Sequence, residues 1–162
     1  MSVDVTGEAV AVLVLELARR GQTVAVAESL TGGLLCATLV DVPGASQVLR
    51  GGLVVYATDL KTSLAAVPAD LLERQGAIDP DVALALARGA RSRCGADWGL
   101  ATTGVAGPDP QDGVEVGTVY VAVADATDAR VRRLRLDGDR QAIRAQAVAA
   151  ALDLLRQRLE AA

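Results

Sequence analysis

Residues 24–40 read VAVAESLTGGLLCATLV, and the break inside this stretch indicates the fold class. Residues 22–28 form an apolar run typical of a short buried strand, and residues 31–40 return to apolar side chains at helical spacing. Between the two stands a Gly-bearing turn that joins strand to helix. In open α/β sheets, ligands bind outside the carboxyl ends of the strands, which is where this pattern puts Ser29. The turn therefore predicts an α/β fold and a candidate site together.

The same elements alternate through the rest of the chain. Turn and capping residues predict helices over 6–20, 31–40, 58–67, 68–76 and 79–94 and after Asp139, with strands over 22–28, 51–57, 96–104, 116–125 and 129–137. The last two strands form an antiparallel hairpin, and residues 105–116 are a loop rich in Gly, Pro and Asp. This order predicts a three-layer α/β/α fold with a mixed sheet of about five strands. At 162 residues we expect a single domain over 1–162.

Composition excludes several classes of protein. The net charge of −4 argues against a nucleic-acid-binding surface, which would be basic. No apolar stretch reaches the roughly 18 residues of a membrane span, and no basic segment followed by an apolar core marks a leader. The two cysteines, Cys36 and Cys94, lie far apart in helix-like contexts, so we expect free thiols. The sequence predicts a soluble cytoplasmic protein.

The ionisable residues limit the chemistry further. The chain contains no histidine, which excludes a Ser-His-Asp or Cys-His mechanism within it and the usual imidazole zinc sites. Of its sixteen basic residues, only Lys61 is a lysine. Arginine does not act as a base near neutral pH, whereas a desolvated lysine can. The candidate side-chain bases are therefore Lys61 and the carboxylates.

Local spacing leaves two roles open for Ser29. The N–H groups of residues 31–34, which include Thr31, Gly32 and Gly33, would be free at a helix N-terminus and could bind an anion or stabilise an oxyanion. The alternative is that Ser29 or Thr31 only caps the helix while the glycines ease the turn.

Lys61 lies one turn into the helix that follows the second strand, and Tyr56 stands at the end of that strand. If the first two strands are neighbours, both residues lie near Ser29. To act as a base for Ser29, Lys61 needs a pKa lowered by roughly three units from about 10.4, which burial can supply. The alternative is a solvated surface lysine, but a surface otherwise served by arginine has no evident reason to use one lysine.

Two further segments are candidates for binding. In the loop after the third strand, Gly104 and Gly107 would let a ligand approach the backbone, or simply form a turn. The carboxylates of that loop match no metal-binding template, so we expect no metal site. Arg140, at the start of the last helix, could recognise phosphate or carboxylate, or form a surface ion pair.

Seven motifs taken together resemble a known family. In order and at matching separations, the chain contains AESLTGG, VPGAS, GGLVVYATDLK, GAIDPDVALALARGAR, TGVAGP, VGTVYVAVAD and GDRQAIR. From about residue 6 to 158 this pattern resembles the CinA C-terminal domain family. The resemblance implies a three-layer fold with a five-stranded mixed sheet and hydrolysis of nicotinamide mononucleotide to nicotinate mononucleotide and ammonia. It further implies a Ser/Lys mechanism without a cofactor, a small-molecule nucleotide substrate and a homo-oligomer.

Carried over to this sequence, the resemblance puts the nucleophile at Ser29, the general base at Lys61 and the family's tyrosine at Tyr56. Tyr56 would position Lys61 or relay its proton, and Thr31 becomes the better candidate for the helix cap. The residues implied to line or support the pocket are Ser46, Thr103, Gly104 and Arg140. Some family members carry a second, nucleotide-hydrolysing domain, and we expect only the amidohydrolase half here.

The sequence departs from the family pattern at two places. Leu30 stands where cysteine is common, and residues 109–115 form a shorter loop with Glu115 in place of a cation. The predicted function is amide hydrolysis of nicotinamide mononucleotide. The altered loop motivates an alternative, a non-catalytic nucleotide- or partner-binding module related to competence or DNA damage. A third interpretation is an amidase for another small amide.

Overall fold

A computed structural model describes residues 6–162 of the chain. The helices are α1 (Gly7–Arg20), α2 (Leu34–Val40), α3 (Thr58–Ser63), α4 (Ala69–Gln75), α5 (Pro80–Cys94) and α6 (Arg140–Ala161). The strands are β1 (Val24–Glu28), β2 (Leu49–Val54), β3 (Trp98–Gly104), β4 (Thr118–Ala124) and β5 (Ala129–Arg135). A short 3-10 helix, Ala45–Gln47, precedes β2. The elements follow one another in the predicted order.

The strands form one mixed sheet in the order β2-β1-β3-β4-β5. β1 lies between β2 and β3 and is parallel to both, whereas β4 is antiparallel to its two neighbours, β3 and β5. The three parallel strands therefore end at the same edge of the sheet, with β1 in the middle. We call this the carboxyl edge, and the opposite end of β1, β2 and β3 the amino edge.

Alternating side chains of the strands pack against helices on the two faces of the sheet. Val24 and Val26 of β1 join a core with α1, α2 and α6. Ala25 and Ala27 point the other way, into a core with α4 and α5. The predicted three-layer α/β/α architecture with five strands is confirmed. Because the chain has no Phe, the layers are filled mostly by Ala, Val and Leu.

Local capping explains where the longer helices begin. Thr6, Asp79 and Asp139 each accept a hydrogen bond from an N–H group of the first turn of α1, α5 and α6. One predicted helix start and one predicted helix cap are wrong. α2 begins at Leu34, because residues 29–33 form turns instead of helix, and α3 begins after Ala57 without a side-chain cap from Thr58 or Asp59.

Cys36 lies on α2 and Cys94 at the end of α5, and both thiols are free. Among residues 6–162, no helix combines the length and the apolar character needed to cross a membrane.

Candidate active site

The carboxyl edge brings Ser29 and Lys61 together. Ser29 follows β1 directly, and its N–H donates to the Thr102 carbonyl of β3. Lys61 lies on α3, which follows the neighbouring strand β2. The Lys61 Nζ atom is 3.0 Å from Ser29 Oγ, within hydrogen-bonding distance. The two side chains that sequence spacing placed near one edge are thus in direct contact.

Lys61 is one of the most deeply buried side chains of the protein, with only 1% of its surface exposed. Its Nζ also donates to the main-chain carbonyls of Val55, at 2.7 Å, and Tyr56, at 3.3 Å. Burial removes water from the ammonium group and lowers the pKa of Lys61 from 10.5 to about 8. The alternative of a solvated surface lysine is therefore wrong. Near neutral pH a useful fraction of this lysine is the free amine, which can accept the Ser29 proton.

Ser29 and Lys61 line a cavity of about 110 Å³. Its other lining residues are Leu30, Tyr56, Thr58, Ala77, Ile78, Thr103, Gly104, Val105, Ala106, Gly107, Asp109, Gln111 and Arg140. The structure thus brings Thr103, Gly104 and Arg140 to the cavity, as the resemblance implies. The Thr103 hydroxyl donates to the Ala77 carbonyl at 2.7 Å, so it fixes the wall of the cavity.

Gly104 is required by a close approach of the backbone. A Cβ atom at this position would lie 2.7 Å from the Thr118 carbonyl oxygen, closer than real Cβ atoms come to backbone. The residue therefore lets β4 pack against the end of β3 beside the cavity.

Tyr56 and Arg140 meet at the rim of the cavity. The Arg140 guanidinium donates to the Tyr56 hydroxyl at 3.1 Å and to the Gly107 carbonyl at 2.6 Å. The Tyr56 side chain is 61% exposed. Its phenol is hydrogen-bonded to Arg140, and the only hydrogen bond between Lys61 and Tyr56 uses the main-chain carbonyl of Tyr56. The predicted role of the Tyr56 side chain, to position Lys61 or relay its proton, does not match this geometry.

The turn that carries Ser29 is held by a residue that the sequence analysis missed. Glu28, fully buried at the end of β1, accepts hydrogen bonds from the N–H groups of Leu35 and Cys36 at 2.8 and 2.9 Å. It also accepts the Thr31 hydroxyl at 2.6 Å. A carboxylate thus caps α2 from the strand, and the prediction that Thr31 caps this helix is wrong. Thr31 is buried beneath the turn, where its Oγ1 also lies 2.8 Å from Thr102 Oγ1.

The free N–H groups of this turn differ from the predicted set. The N–H of Gly32 donates to the Ser29 carbonyl and that of Leu34 to the Thr31 carbonyl, so neither is free. Within residues 6–162, the N–H groups of Leu30, Thr31 and Gly33 make no hydrogen bond. Leu30 directly follows Ser29 and lines the cavity. Positive φ angles at Gly32 and Gly33, +57° and +106°, allow this tight path.

A second missed residue, Arg144 of α6, holds the same turn from outside. Its Nε donates to the Leu30 carbonyl and its Nη2 to the Thr31 carbonyl, both at 2.9 Å. Its spacing from Arg140, four residues along one helix, puts both arginines on one face of α6. That spacing was the available sequence signal.

Ser46 is not part of this cavity. It lies exposed on the 3-10 helix just before β2, at the amino edge. The physical reason is the crossover: α2 carries the chain back to the start of the parallel strand β2, away from Ser29.

Residues 109–115, the loop that departs from the family pattern, contribute side chains both to the cavity and to the surface outside it. Asp109 and Gln111 line the cavity, whereas Glu115 forms an exposed ion pair with Arg135 of β5 at 2.7 Å. Glu115, which stands where the family has a cation, therefore makes its ion pair outside the cavity.

The sequence is similar to a known protein family and to several curated proteins. The sequence model of the CinA C-terminal domain matches residues 7–159. A CinA-like protein of Frankia casuarinae is 52% identical over 143 residues, which cover 88% of this chain and 33% of that protein. A putative competence-damage inducible protein of Geobacillus kaustophilus is 50% identical over 129 residues, 79% of this chain and 31% of that protein. The chain thus spans about a third of the length of these curated relatives.

Solved structures agree with this relationship. The crystal structure of a CinA superfamily protein from Escherichia coli superposes with a TM-score of 0.90 at 31% identity, over 94% of this chain and 90% of that chain. The competence/damage-inducible protein CihA from Agrobacterium tumefaciens gives a TM-score of 0.90 at 32% identity, over 95% and 94%. On sequence and structure alike, the chain belongs to the CinA C-terminal domain family.

Proposed function

We propose that this protein hydrolyses the carboxamide of nicotinamide mononucleotide, with Ser29 as nucleophile and Lys61 as general base. The observation that carries the proposal is the 3.0 Å contact between Lys61 Nζ and Ser29 Oγ in the wall of a cavity. A hydroxyl is a weak nucleophile until a neighbouring base accepts its proton, and a desolvated lysine is such a base. Membership of the family supports this choice of reaction through the resemblance of AESLTGG and VVYATDLK.

In the first half of the reaction, neutral Lys61 accepts the Ser29 proton while Oγ forms a bond to the carboxamide carbon. The carbonyl oxygen becomes an oxyanion. When this intermediate collapses, the C–N bond breaks, and the Lys61 ammonium gives its proton to the departing nitrogen. Ammonia leaves, and the nicotinoyl group remains as an ester on Ser29.

In the second half, Lys61 accepts a proton from water as the water oxygen attacks the ester carbon. The bond to Oγ then breaks, and the proton returns to Ser29. Nicotinate mononucleotide is released, and both side chains regain their starting states. One lysine thus serves as base and acid in turn, in a chain that has no histidine.

The oxyanion needs hydrogen-bond donors that are already in place. Glu28 occupies the first two N–H groups of α2 after its start at Leu34, so the helix N-terminus is a poor donor. We assign the oxyanion to the turn instead, to the N–H group of Leu30, which has no partner within residues 6–162.

The cavity suits one end of the substrate. At about 110 Å³ it is small beside the roughly 300–1,000 Å³ of pockets that enclose a whole drug-sized ligand. The pyridine carboxamide therefore enters, and the ribose phosphate extends past the rim. There the exposed residue Arg140 offers a cation to the phosphate. The Asp109 carboxylate in the cavity wall complements the positive charge of the pyridinium ring.

The test is ammonia release from nicotinamide mononucleotide by wild type, Ser29→Ala and a matched control. We expect wild type to release ammonia and Ser29→Ala to lose at least about 10⁴-fold in kcat, because no other group forms the ester. Ser92→Ala changes an exposed serine of α5 and should keep wild-type kcat.

Two results would contradict the proposal. Near-native deamidation by folded Ser29→Ala would exclude Ser29 as nucleophile. Thermal stabilisation of wild type by the nucleotide without any ammonia would instead favour the non-catalytic binding module. A panel of small amides separates nicotinamide mononucleotide from other substrates. The cytoplasmic location and the homo-oligomer remain predictions.

A further inference from the structure

We propose that Arg144 is a positioning residue for the oxyanion, acting on the Leu30 N–H group through two peptide groups aligned in series. The inference rests on the proposed function, because it assigns to Arg144 a part in acyl transfer at Ser29. Arg144 itself need not touch the substrate.

The series begins at the guanidinium. Arg144 Nη2 donates to the Thr31 carbonyl at 2.9 Å, and the N–H at the other end of that peptide belongs to Gly32. The Gly32 N–H donates in turn to the Ser29 carbonyl at 3.1 Å. The N–H at the other end of that second peptide belongs to Leu30. In a trans peptide the C=O and N–H point in opposite directions. The Leu30 N–H therefore points away from the Ser29 carbonyl and from the Gly32 N–H that binds this carbonyl.

Such a series is polarised in one direction. Each carbonyl that accepts a hydrogen bond makes the N–H of the same peptide a stronger donor, so linked hydrogen bonds strengthen one another. Here the series starts at a full positive charge and ends at a free N–H beside the nucleophile. Within residues 6–162, Arg144 forms no ion pair with a carboxylate, so none offsets its charge at close range.

A second bond fixes the remaining peptide of the turn. Arg144 Nε donates to the Leu30 carbonyl at 2.9 Å, which sets the plane of the peptide between Leu30 and Thr31. Arg144 thus holds two successive carbonyls in a fork, a geometry that its planar guanidinium matches and a lysine does not. On the inner side, Glu28 holds Thr31 and the start of α2. The turn is therefore held from both sides, and its free N–H groups have fixed directions.

Loss of Arg144 should therefore destabilise the oxyanion of the transition state without weakening the binding of the substrate. Removing one oxyanion donor outright typically lowers kcat by 10²–10³-fold. Loss of Arg144 leaves the Leu30 N–H present but less polarised and less well oriented. We therefore expect Arg144→Met to lower kcat about 10- to 100-fold while KM stays within about 3-fold. Arg144→Lys, which keeps the charge but lacks the planar fork that reaches both carbonyls, should recover part of the loss.

The test compares two ligands and two arginines. The first ligand is a nicotinamide analogue whose carboxamide is replaced by boronic acid, which forms a tetrahedral adduct with a serine hydroxyl. The second is the product nicotinate mononucleotide, which has no tetrahedral centre. Arg144→Met should weaken the boronate by about the factor lost from kcat and leave product affinity unchanged. The matched control is Arg158→Met, on the same helix, where the side chain donates to Asp125. It should change neither.

Two outcomes would overturn the inference. Equal weakening of boronate and product, with kcat falling only in proportion to the folded fraction, would reduce Arg144 to a structural role. Unchanged boronate affinity and unchanged kcat in Arg144→Met would remove the role altogether. If Arg144→Met does not fold, the same comparison is made with Arg144→Lys.

A separate readout distinguishes failure of the proposed function. A serine-directed fluorophosphonate also places negative charge on an oxygen as it reacts with Ser29. If wild type releases no ammonia but is labelled at Ser29, the amidase proposal fails. The inference on Arg144 then stands only if Arg144→Met slows labelling at least about 10-fold and Arg158→Met does not. Absence of both ammonia and labelling would overturn both proposals.

Discussion

The two ends of the parallel strands β1, β2 and β3 carry similar residues in opposite environments. At the carboxyl edge, Glu28, Thr31 and Lys61 are each at most 1% exposed. At the amino edge, Thr23 is half-buried and Asp97 is exposed. Water can replace a lost hydrogen bond at the amino edge, but it cannot readily do so for a buried group at the carboxyl edge. The proposed chemistry therefore lies at the carboxyl edge, where a buried polar atom needs a protein partner.

Both edges use a carboxylate to bind backbone and hydroxyl groups. Asp97 accepts the N–H and the hydroxyl of Thr23 at 2.8 and 3.1 Å, much as Glu28 accepts two N–H groups and the Thr31 hydroxyl. Among residues 6–162, no buried side-chain N or O atom lacks a hydrogen bond. The two carboxylates thus make the same kinds of hydrogen bond, three at Glu28 and two at Asp97, and the edges differ chiefly in burial. The same substitution at the two edges should measure what burial adds.

The largest difference should appear between two cations that donate to main-chain carbonyls, Lys61 at the carboxyl edge and Arg50 near the amino edge. Lys61→Met removes the proposed base, and we expect kcat for ammonia release to fall at least about 10³-fold with the fold retained. Arg50→Met, near the amino edge, removes a bond to the Cys94 carbonyl and should leave kcat unchanged. Steady-state kinetics with circular dichroism checks both. A folded Lys61→Met variant that keeps a tenth of wild-type kcat would exclude Lys61 as the base.

The next effect is a pH dependence of stability caused by Lys61. Its pKa is about 8 in the folded protein against 10.5 as the ordinary value, so the unfolded chain binds the proton more tightly. Stability is therefore reduced below pH 8, and this loss is relieved as pH rises from about 8 to 10.5. At about 1.4 kcal/mol per pKa unit, the relief amounts to about 3 kcal/mol.

Urea denaturation of wild type and Lys61→Met across pH 7 to 10.5 measures this effect, because the difference between them isolates Lys61 from other titrating groups. The wild type should gain free energy of unfolding relative to the variant as pH rises. A difference that stays constant with pH would mean that the pKa of Lys61 is not lowered by folding.

A smaller effect is expected for the two carboxylates. Glu28→Gln turns an amide N–H₂ towards N–H donors that are buried with it, so we expect a loss of about 2–3 kcal/mol in the free energy of unfolding. Asp97→Asn, whose partners can bind water, should lose less than about 1 kcal/mol. Equal losses at the two sites in urea titrations would show that burial does not distinguish the edges.

The smallest effect is expected for the two threonines. Thr31→Val leaves Glu28 and Thr102 without a buried hydroxyl partner and should lower the free energy of unfolding by about 1–2 kcal/mol. Thr23→Val, near water, should stay within about 0.5 kcal/mol of wild type. Thermal melts at fixed pH are sufficient, and the reverse order of stability would contradict the comparison.

Much of the fold could be predicted because its signals are local. Apolar periodicity gave the order of helices and strands, and Thr6, Asp79 and Asp139 marked helix starts within three residues of the groups that they cap. The start of α2 was placed too early because its capping group is Glu28, which lies before the turn. A glutamate ending an otherwise apolar strand, followed by two glycines, was the signal that could have identified it.

The site was predictable where topology alone decides proximity. Ser29 and Lys61 follow neighbouring parallel strands, so they meet at one edge. Arg144 was missed because its partners lie 113 and 114 residues away along the chain. Its four-residue spacing from Arg140 indicates a shared helix face but not the distant turn that the side chain contacts. Ser46 was assigned to the pocket wrongly because the motif PGAS does not show at which edge of the sheet it lies. Only the path of the chain through α2 to the start of β2 shows that Ser46 lies at the amino edge.

The proposed Ser29–Lys61 pair is tested most directly by the rate at which a fluorophosphonate labels Ser29, followed by intact mass and peptide mapping across pH 6 to 10. We expect a single label on Ser29, a rate that rises with pH to a plateau with a midpoint near 8, and loss of that rise in Lys61→Met. Labelling of another residue, or a rate at Ser29 that is the same in Lys61→Met and wild type at every pH, would contradict it.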